Sequence, residues 1–429
     1  MTKWFLASIA LAASISISAE EGFDDDGFDD EDIEIIVENT QPDKGALYGS
    51  VDLETHYNFN NDKDLSSFKT LIDILGEYKL DNGIKLSGNL KGYHDFIYEL
   101  ENRTVPDGYE NEINLNELNI EVEISPSLDF KLGRQIVVWG KSDSIRITDI
   151  LNPLDNRTPG LVDIKNLRLG RVMSKLDYYF DNLNLSVIAL HENRFTKNAM
   201  QYSDFKPTEA NKPTSKPDDS LDNTGIALSL TGAFSGYDLG LYFADTYVDK
   251  PYLVESNTIL SHDNKSKMLG AAYNKVAGSY LLKAEIAHFD HIKYNGVSDA
   301  KARTDALLGF EYNGITDGSI GYEIAMRNIH NYSTAINIKS NGYKPEKEVQ
   351  QVVRFNQSYL NQTLDLSAVL SVFGSHGQDG GSARISLDYA LDDQTSVSGG
   401  IIDYIGGDNL IINAYKNNDR IFAKMSYLF

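Results

Sequence analysis

Nine cations and four carboxylates crowd one stretch of the chain, residues 131–175, KLGRQIVVWGKSDSIRITDILNPLDNRTPGLVDIKNLRLGRVMSK, although the formal net charge of the whole is −24. Arg134, Arg146, Arg157, Arg168 and Arg171 bring guanidinium groups, planar forks of donors that match a carboxylate or phosphate, and Lys141 adds a compact positive charge. Chemistry of that kind binds or filters anions. Asp149 and Asp155 lie among the cations, so a second reading stays open, in which Arg–Asp pairs only hold the segment in place. The centre of the stretch, 140–165, also carries Ile145, Ile147, Ile150, Leu151, Leu154, Leu161, Val162 and Ile164 with Pro153 and Pro159. A tip exposed to water would be more polar than this.

Other chemistry is missing. With no cysteine there is neither a disulfide framework nor a thiolate site. No Gly-rich phosphate loop, His-Glu-x-x-His helix or Gly-x-Ser-x-Gly elbow occurs. His288 and His291 stand three apart, on opposite faces of an extended chain, so they read as rim histidines and not as metal ligands. No cofactor, metal or catalytic residue is expected, and so acidic a chain lacks the cationic footprint that nucleic acid demands.

The elements that must position the charged stretch are strands. From residue 46 onward, segments of 10 to 15 residues alternate in polarity. Ile84, Leu86, Gly88 and Leu90 face away from Lys85, Ser87, Asn89 and Lys91; Ile385, Leu387 and Tyr389 face away from Arg384, Ser386 and Asp388. Short separators such as DNG (81–83), DN (181–182) and SG (235–236) alternate with long polar ones. One rim of tight turns and one of long loops marks a transmembrane antiparallel β-barrel. Counting strands between separators gives eighteen, or sixteen if 251–293 holds no hairpin. A soluble β-sandwich or solenoid competes, but predicts no difference between rims. In the barrel, 140–165 becomes the third long loop, apolar enough to fold inward and narrow the bore. One conflict arises at its root: if Phe130 and Leu132 face lipid, alternation turns Arg134 there too, unless a bulge near Gly133 or a position at headgroup level relieves it.

The chain ends RIFAKMSYLF, with Ile421, Ala423, Met425, Tyr427 and Phe429 on one face and Arg420, Phe422 and Lys424 on the other. This end resembles the terminal recognition signal of bacterial outer-membrane proteins. That resemblance implies insertion by the barrel assembly machinery, with the first face against outer-membrane lipid. Twenty-five tyrosines and eighteen phenylalanines, many near strand ends, suit interfacial girdles.

The other end reads as a secretory signal peptide, residues 1–19, cut after Ala19. Residues 20–44 then hold twelve carboxylates against Lys44 alone, and should be disordered in isolation. A solvated spacer, a calcium site, a plug for the bore and a docking peptide are the competing readings. For docking, Phe23 and Phe28 would anchor while Asp24, Asp25, Asp26, Asp29 and Asp30 steer. The barrel proper is expected over 45–429.

Gly133, Arg134 and Gln135, then Trp139 and Gly140, then Asn152, Pro153 and Asp155 resemble a signature in a family of Gram-negative outer-membrane barrels, porin-like and catalogued only as a domain of unknown function. Some relatives accompany inner-membrane exporters of the resistance–nodulation–division type and periplasmic lipid carriers, which implies a partner for the acidic arm. Two functions are therefore expected of an integral outer-membrane barrel that is not an enzyme. One is a channel for small anionic or amphipathic solutes. The other is the outer-membrane subunit of a trans-envelope export system for lipids or hydrophobic compounds, docked through residues 20–44.

Overall fold

The computed structural model describes residues 45–60, 63–106, 108–206, 211–254, 258–338 and 344–429. The signal peptide, the acidic arm and its docking residues Phe23 to Asp30 lie outside the described residues. Eighteen strands form one closed antiparallel sheet. The first six are β1 (Gly45–Asn58), β2 (Asp64–Lys79), β3 (Lys85–Asp95), β4 (Asn111–Ser125), β5 (Leu128–Gln135) and β6 (Arg171–Phe180). Then come β7 (Leu183–Leu190), β8 (Gly225–Phe234), β9 (Tyr237–Tyr247), β10 (Lys265–Ala277), β11 (Tyr280–Ile292) and β12 (Lys301–Ile315). The last are β13 (Gly318–Ile329), β14 (Lys347–Tyr359), β15 (Leu364–Phe373), β16 (Gly380–Ala390), β17 (Thr395–Ile405) and β18 (Arg420–Leu428).

Each strand pairs with the next, and β18 returns to β1 in a register that runs from Ser50↔Leu428 to Asn58↔Arg420. Closure satisfies every strand edge, which a sheet in lipid requires. Among the described residues no helix is long and apolar enough to cross a membrane, and a barrel needs none. Even-numbered strands connect onward through turns of two to five residues, while loops 3 (136–170) and 4 (191–224) sit on the opposite rim. The region 251–293 does hold a barrel hairpin, β10–β11, preceded by a small loop hairpin of Tyr252–Val254 with Ile259–Ser261. Eighteen is therefore the strand number.

The expected alternation holds on the closing strand. On the closing strand Ile421, Ala423, Met425 and Tyr427 point outward, while Arg420 and Ser426 are buried on the inner side. Across the seam Val51 meets Tyr427 and Leu53 meets Met425 on the lipid face, and Glu54 meets Lys424 on the inner one. Near the short-turn rim an aromatic belt links Phe234 with Tyr237 (ring centroids 4.9 Å apart), Tyr237 with Tyr273 (5.9 Å), and Tyr280 with Tyr312 (4.7 Å). Tyrosine rings of this kind settle where hydrocarbon gives way to headgroups.

The inner wall departs from a uniformly polar lining. From β6 round to β14 it presents Met173, Ile188, Ala227, Ala244, Met268, Ala272, Ala287, Leu307, Ala325 and Val352, all buried in one cluster with Val137, Trp139, Ile145, Ile147 and Leu151 of loop 3. Small wall residues leave the space that the loop's large ones fill.

Candidate constriction and its charged contacts

Loop 3 folds into the bore, as its apolar content predicts. Its root lies on two wall carboxylates. Glu285 of β11 accepts hydrogen bonds from the backbone N–H of Lys141 (2.5 Å), Ser142 (2.8 Å) and Thr148 (3.2 Å) and from the Thr148 hydroxyl (2.8 Å). Glu323 of β13 accepts from the N–H of Asp143 (2.8 Å), Ser144 (3.1 Å) and Ile145 (3.1 Å). A loop that leaves regular structure inside a barrel must find partners for its backbone, and these glutamates are acceptors set on rigid strands. Trp139 packs beside Tyr242 at 4.9 Å between ring centroids, and the Gly140 N–H donates to the Tyr242 hydroxyl (3.3 Å).

Past residue 152 the loop becomes an arm that crosses to the far wall. Arg157 donates to Glu112 (2.6 Å), Asp155 (Nε, 2.8 Å), the Tyr93 hydroxyl (3.1 Å) and the Gly108 carbonyl (2.5 Å). The Tyr404 hydroxyl donates to the Pro159 carbonyl at 2.6 Å. Asp163 sits between Arg354 of β14 (3.1 Å) and Arg384 of β16, whose guanidinium also reaches the Leu161 carbonyl (2.6 Å). Loop 4 joins in. Asp155–Asn156 pair in parallel with Lys197–Asn198, and Phe205 packs against Tyr404 and Tyr415. Asp204 meets Arg420, itself buried at 2% exposure, at 3.3 Å.

The residues singled out from the sequence fall into separate groups. Arg146 (Nε, 3.0 Å) and Arg168 (Nε, 3.0 Å) share the carboxylate of Asp149. Asp155 and Arg157 belong to the arm's cluster with Glu112 and Lys197. Lys141 reaches Asp238 at 3.3 Å, and buried Arg171 donates to the Leu151 and Glu192 carbonyls. Arg134 pairs in register with Leu118 and Val172, in the outward set and one residue from the end of β5, so it is not a bore residue. Its charge is met by Glu192 at 2.6 Å and by the Leu115 carbonyl. Gly133 stands beside it at φ +128°. The register runs through Gly133 without a bulge, so the conflict at the root of loop 3 is met by the place of Arg134 near the strand end and by its pairing with Glu192.

Arg354, Arg384 and Arg420 were not in the predicted set as a group. They share one row: Arg354↔Val369↔Arg384↔Ile402↔Arg420↔Asn58, an arginine on every second strand. Alternation alone had placed Arg384 and Arg420 on the inner face; that they share a row follows only from the register.

Burial works to raise the Asp163 pKa, but Arg354 and Arg384 outweigh it and hold the carboxyl below its ordinary 3.8. Asp155 is likewise held low, burial being outweighed by Arg157. A depressed folded value means that the stabilisation is complete above the unfolded pKa and is lost as pH falls through the folded one. Docking of the arm should therefore be constant from pH 8 to about 5 and weaken only below about 4. Limited proteolysis of the arm across that range, with an acid-active protease at the lower end, checks this, and weakening already near pH 6 would contradict it.

Solved structures share the fold. OccAB2 of Acinetobacter baumannii superposes with a TM-score of 0.54 at 10% identity over 90% of this chain and 98% of that one. OpdK of Pseudomonas aeruginosa, solved with vanillate, gives 0.52 at 10% identity over 89% and 98%. OccK2 (OpdF) of the same organism, in complex with glucuronate, gives 0.52 at 11% over 90% and 98%. At such identities the likeness is one of architecture, that of an outer-membrane porin barrel. Among curated proteins none matches the chain. A family model matches residues 27–429, nearly the whole length, and the chain belongs to that family, described as Protein of unknown function (DUF1302).

Proposed function

We propose that this barrel is a non-enzymatic channel of the Gram-negative outer membrane, passing small anionic or amphipathic solutes through a constriction formed by loops 3 and 4. The observation that carries the reading is the row of inward arginines on β14, β16 and β18, on which both loops rest. The guanidinium groups of Arg354 and Arg384, partly exposed on rigid strands, suit passing carboxylates, while buried Arg420 seats loop 4. Two solved barrels of this architecture were obtained with vanillate and glucuronate, both carboxylates. In planar bilayers the purified protein should conduct, and Arg384→Glu should move the reversal potential toward cation preference. A silent, ion-tight barrel would sink the proposal.

The acidic arm favours a second reading, a barrel docked to a periplasmic or inner-membrane export partner of the resistance–nodulation–division type through Phe23, Phe28 and the carboxylates around them. It differs in needing a partner. Loss of periplasmic crosslinks on deleting residues 20–44, with the barrel intact, would support it.

A further inference from the structure

We propose that Arg354 and Arg384 form a carboxylate-binding site that the protein keeps filled with its own Asp163, and that an anionic solute enters by displacing this aspartate. The inference rests on the anion-channel reading and identifies where the solute first binds.

The two arginines lie on β14 and β16 with Val369 of β15 between them, two strand spacings or about 10 Å apart. Their long side chains converge on one carboxylate: Arg354 Nη1 at 3.1 Å from Asp163 Oδ2, and Arg384 Nη2 on Oδ1. Each guanidinium thus meets Asp163 through one oxygen, whereas an arginine–carboxylate pair is strongest when two parallel N–H groups meet both. The Nε of Arg354 is buried and has no partner. A loop aspartate leaves that donor stranded, and a free carboxylate, not tied to a backbone, can take it up. Asp163 keeps 27% of its side chain exposed, so a competitor can reach it.

What would move is the arm and not the root. The arm around Asp163 is held by polar contacts, the Arg384 guanidinium on the Gly160 (3.4 Å) and Leu161 (2.6 Å) carbonyls and the Tyr404 hydroxyl on Pro159, and by Leu161 packed on Phe205, Ile402 and Tyr404. Gly160, at φ +80°, gives the backbone a left-handed bend three residues before Asp163, where the arm meets the far wall. Its positive φ is one that larger residues rarely adopt.

The chain's lack of cysteine allows a direct test on the full-length protein in detergent. A Cβ on Gly160 would lie 3.8 Å from Ser382 Cβ, within the roughly 3.5–4.5 Å that a disulfide needs. Gly160→Cys with Ser382→Cys should crosslink on oxidation while the arm is docked. Benzoate at millimolar concentration should slow that reaction several-fold, and uncharged benzyl alcohol should not. An unchanged rate with benzoate overturns the proposal. Should the cysteine pair fail to give a heat-modifiable barrel, or fail to crosslink because a side chain at the φ of Gly160 strains the arm, calorimetry on Asp163→Asn decides instead. Removing the internal competitor should tighten benzoate binding roughly tenfold over wild type, and equal affinity, or no binding to either protein, overturns it. Neither readout needs current, so a barrel that binds benzoate yet never conducts would sink the channel reading alone.

Discussion

Glu285→Ala together with Glu323→Ala releases the root of loop 3, opens it to trypsin at Lys141 and Arg146, and raises conductance several-fold; either change alone only loosens it. The comparison is between two sums. Trp139, Ile145, Ile147 and Leu151 are buried beneath the loop, and at roughly 1.5–3 kcal/mol each they hold it with at most about 6–12 kcal/mol. Against that stand the donors that the carboxylates satisfy, four at Glu285 and three at Glu323. A buried donor left unpaired costs about 1–3 kcal/mol. Losing four is comparable to the apolar term, and losing seven exceeds it. Tryptic digestion and planar-bilayer recordings of the same preparations read the outcome. A double variant that resists trypsin and conducts like wild type would mean that apolar packing alone seats the loop.

Gly133→Val should all but abolish the folded barrel. A Cβ at this position would lie 2.3 Å from the Leu118 carbonyl oxygen and 2.8 Å from Asn119 Cα. Both are backbone atoms of a paired strand and cannot swing aside. The φ of +128° adds strain that a β-branched side chain tolerates least. Together these force β4 and β5 apart where loop 3 begins, exposing unpaired backbone groups to lipid at several kcal/mol each. Gly76→Ala is the control: its Cβ would find Leu47 Cδ1 at 3.5 Å, an ordinary contact. Heat-modifiable mobility in gels should disappear for the valine variant and persist for the alanine one. A valine variant that shifts like wild type would overturn the steric argument.

The barrel was legible in the sequence because lipid on one side and water on the other impose a period of two. The alternation at Ile385, Leu387 and Tyr389 against Arg384, Ser386 and Asp388 has the facing that the register gives. Tight turns against long loops were equally plain. The inward course of loop 3 followed from its isoleucines. What holds the loop did not follow. Glu285 and Glu323 are single acidic residues in strand sequences, 144 and 180 positions from the first donors each receives. A lone inward glutamate carries no local mark of its partners. For the same reason the charges of 131–175 pointed to an anion filter, whereas Arg146, Arg157 and Arg168 are engaged by nearby carboxylates. The seat of loop 4 inside the bore was not legible, because Asp204 and Phe205 lie in a polar stretch and their place beside Arg420 depends on closure of the barrel.

The two ways in which loop 3 is held divide its work. Its first half is fixed by oily contact and by carboxylates under its backbone, so changes there unseat the loop as a whole. Around Asp163 its second half adds to a lighter apolar contact at Leu161 charge pairs that acid or a competing ion can exchange. Evolution, or an engineer, could retune the opening by editing residues 155–163 and the arginines facing them, leaving the scaffold beneath untouched.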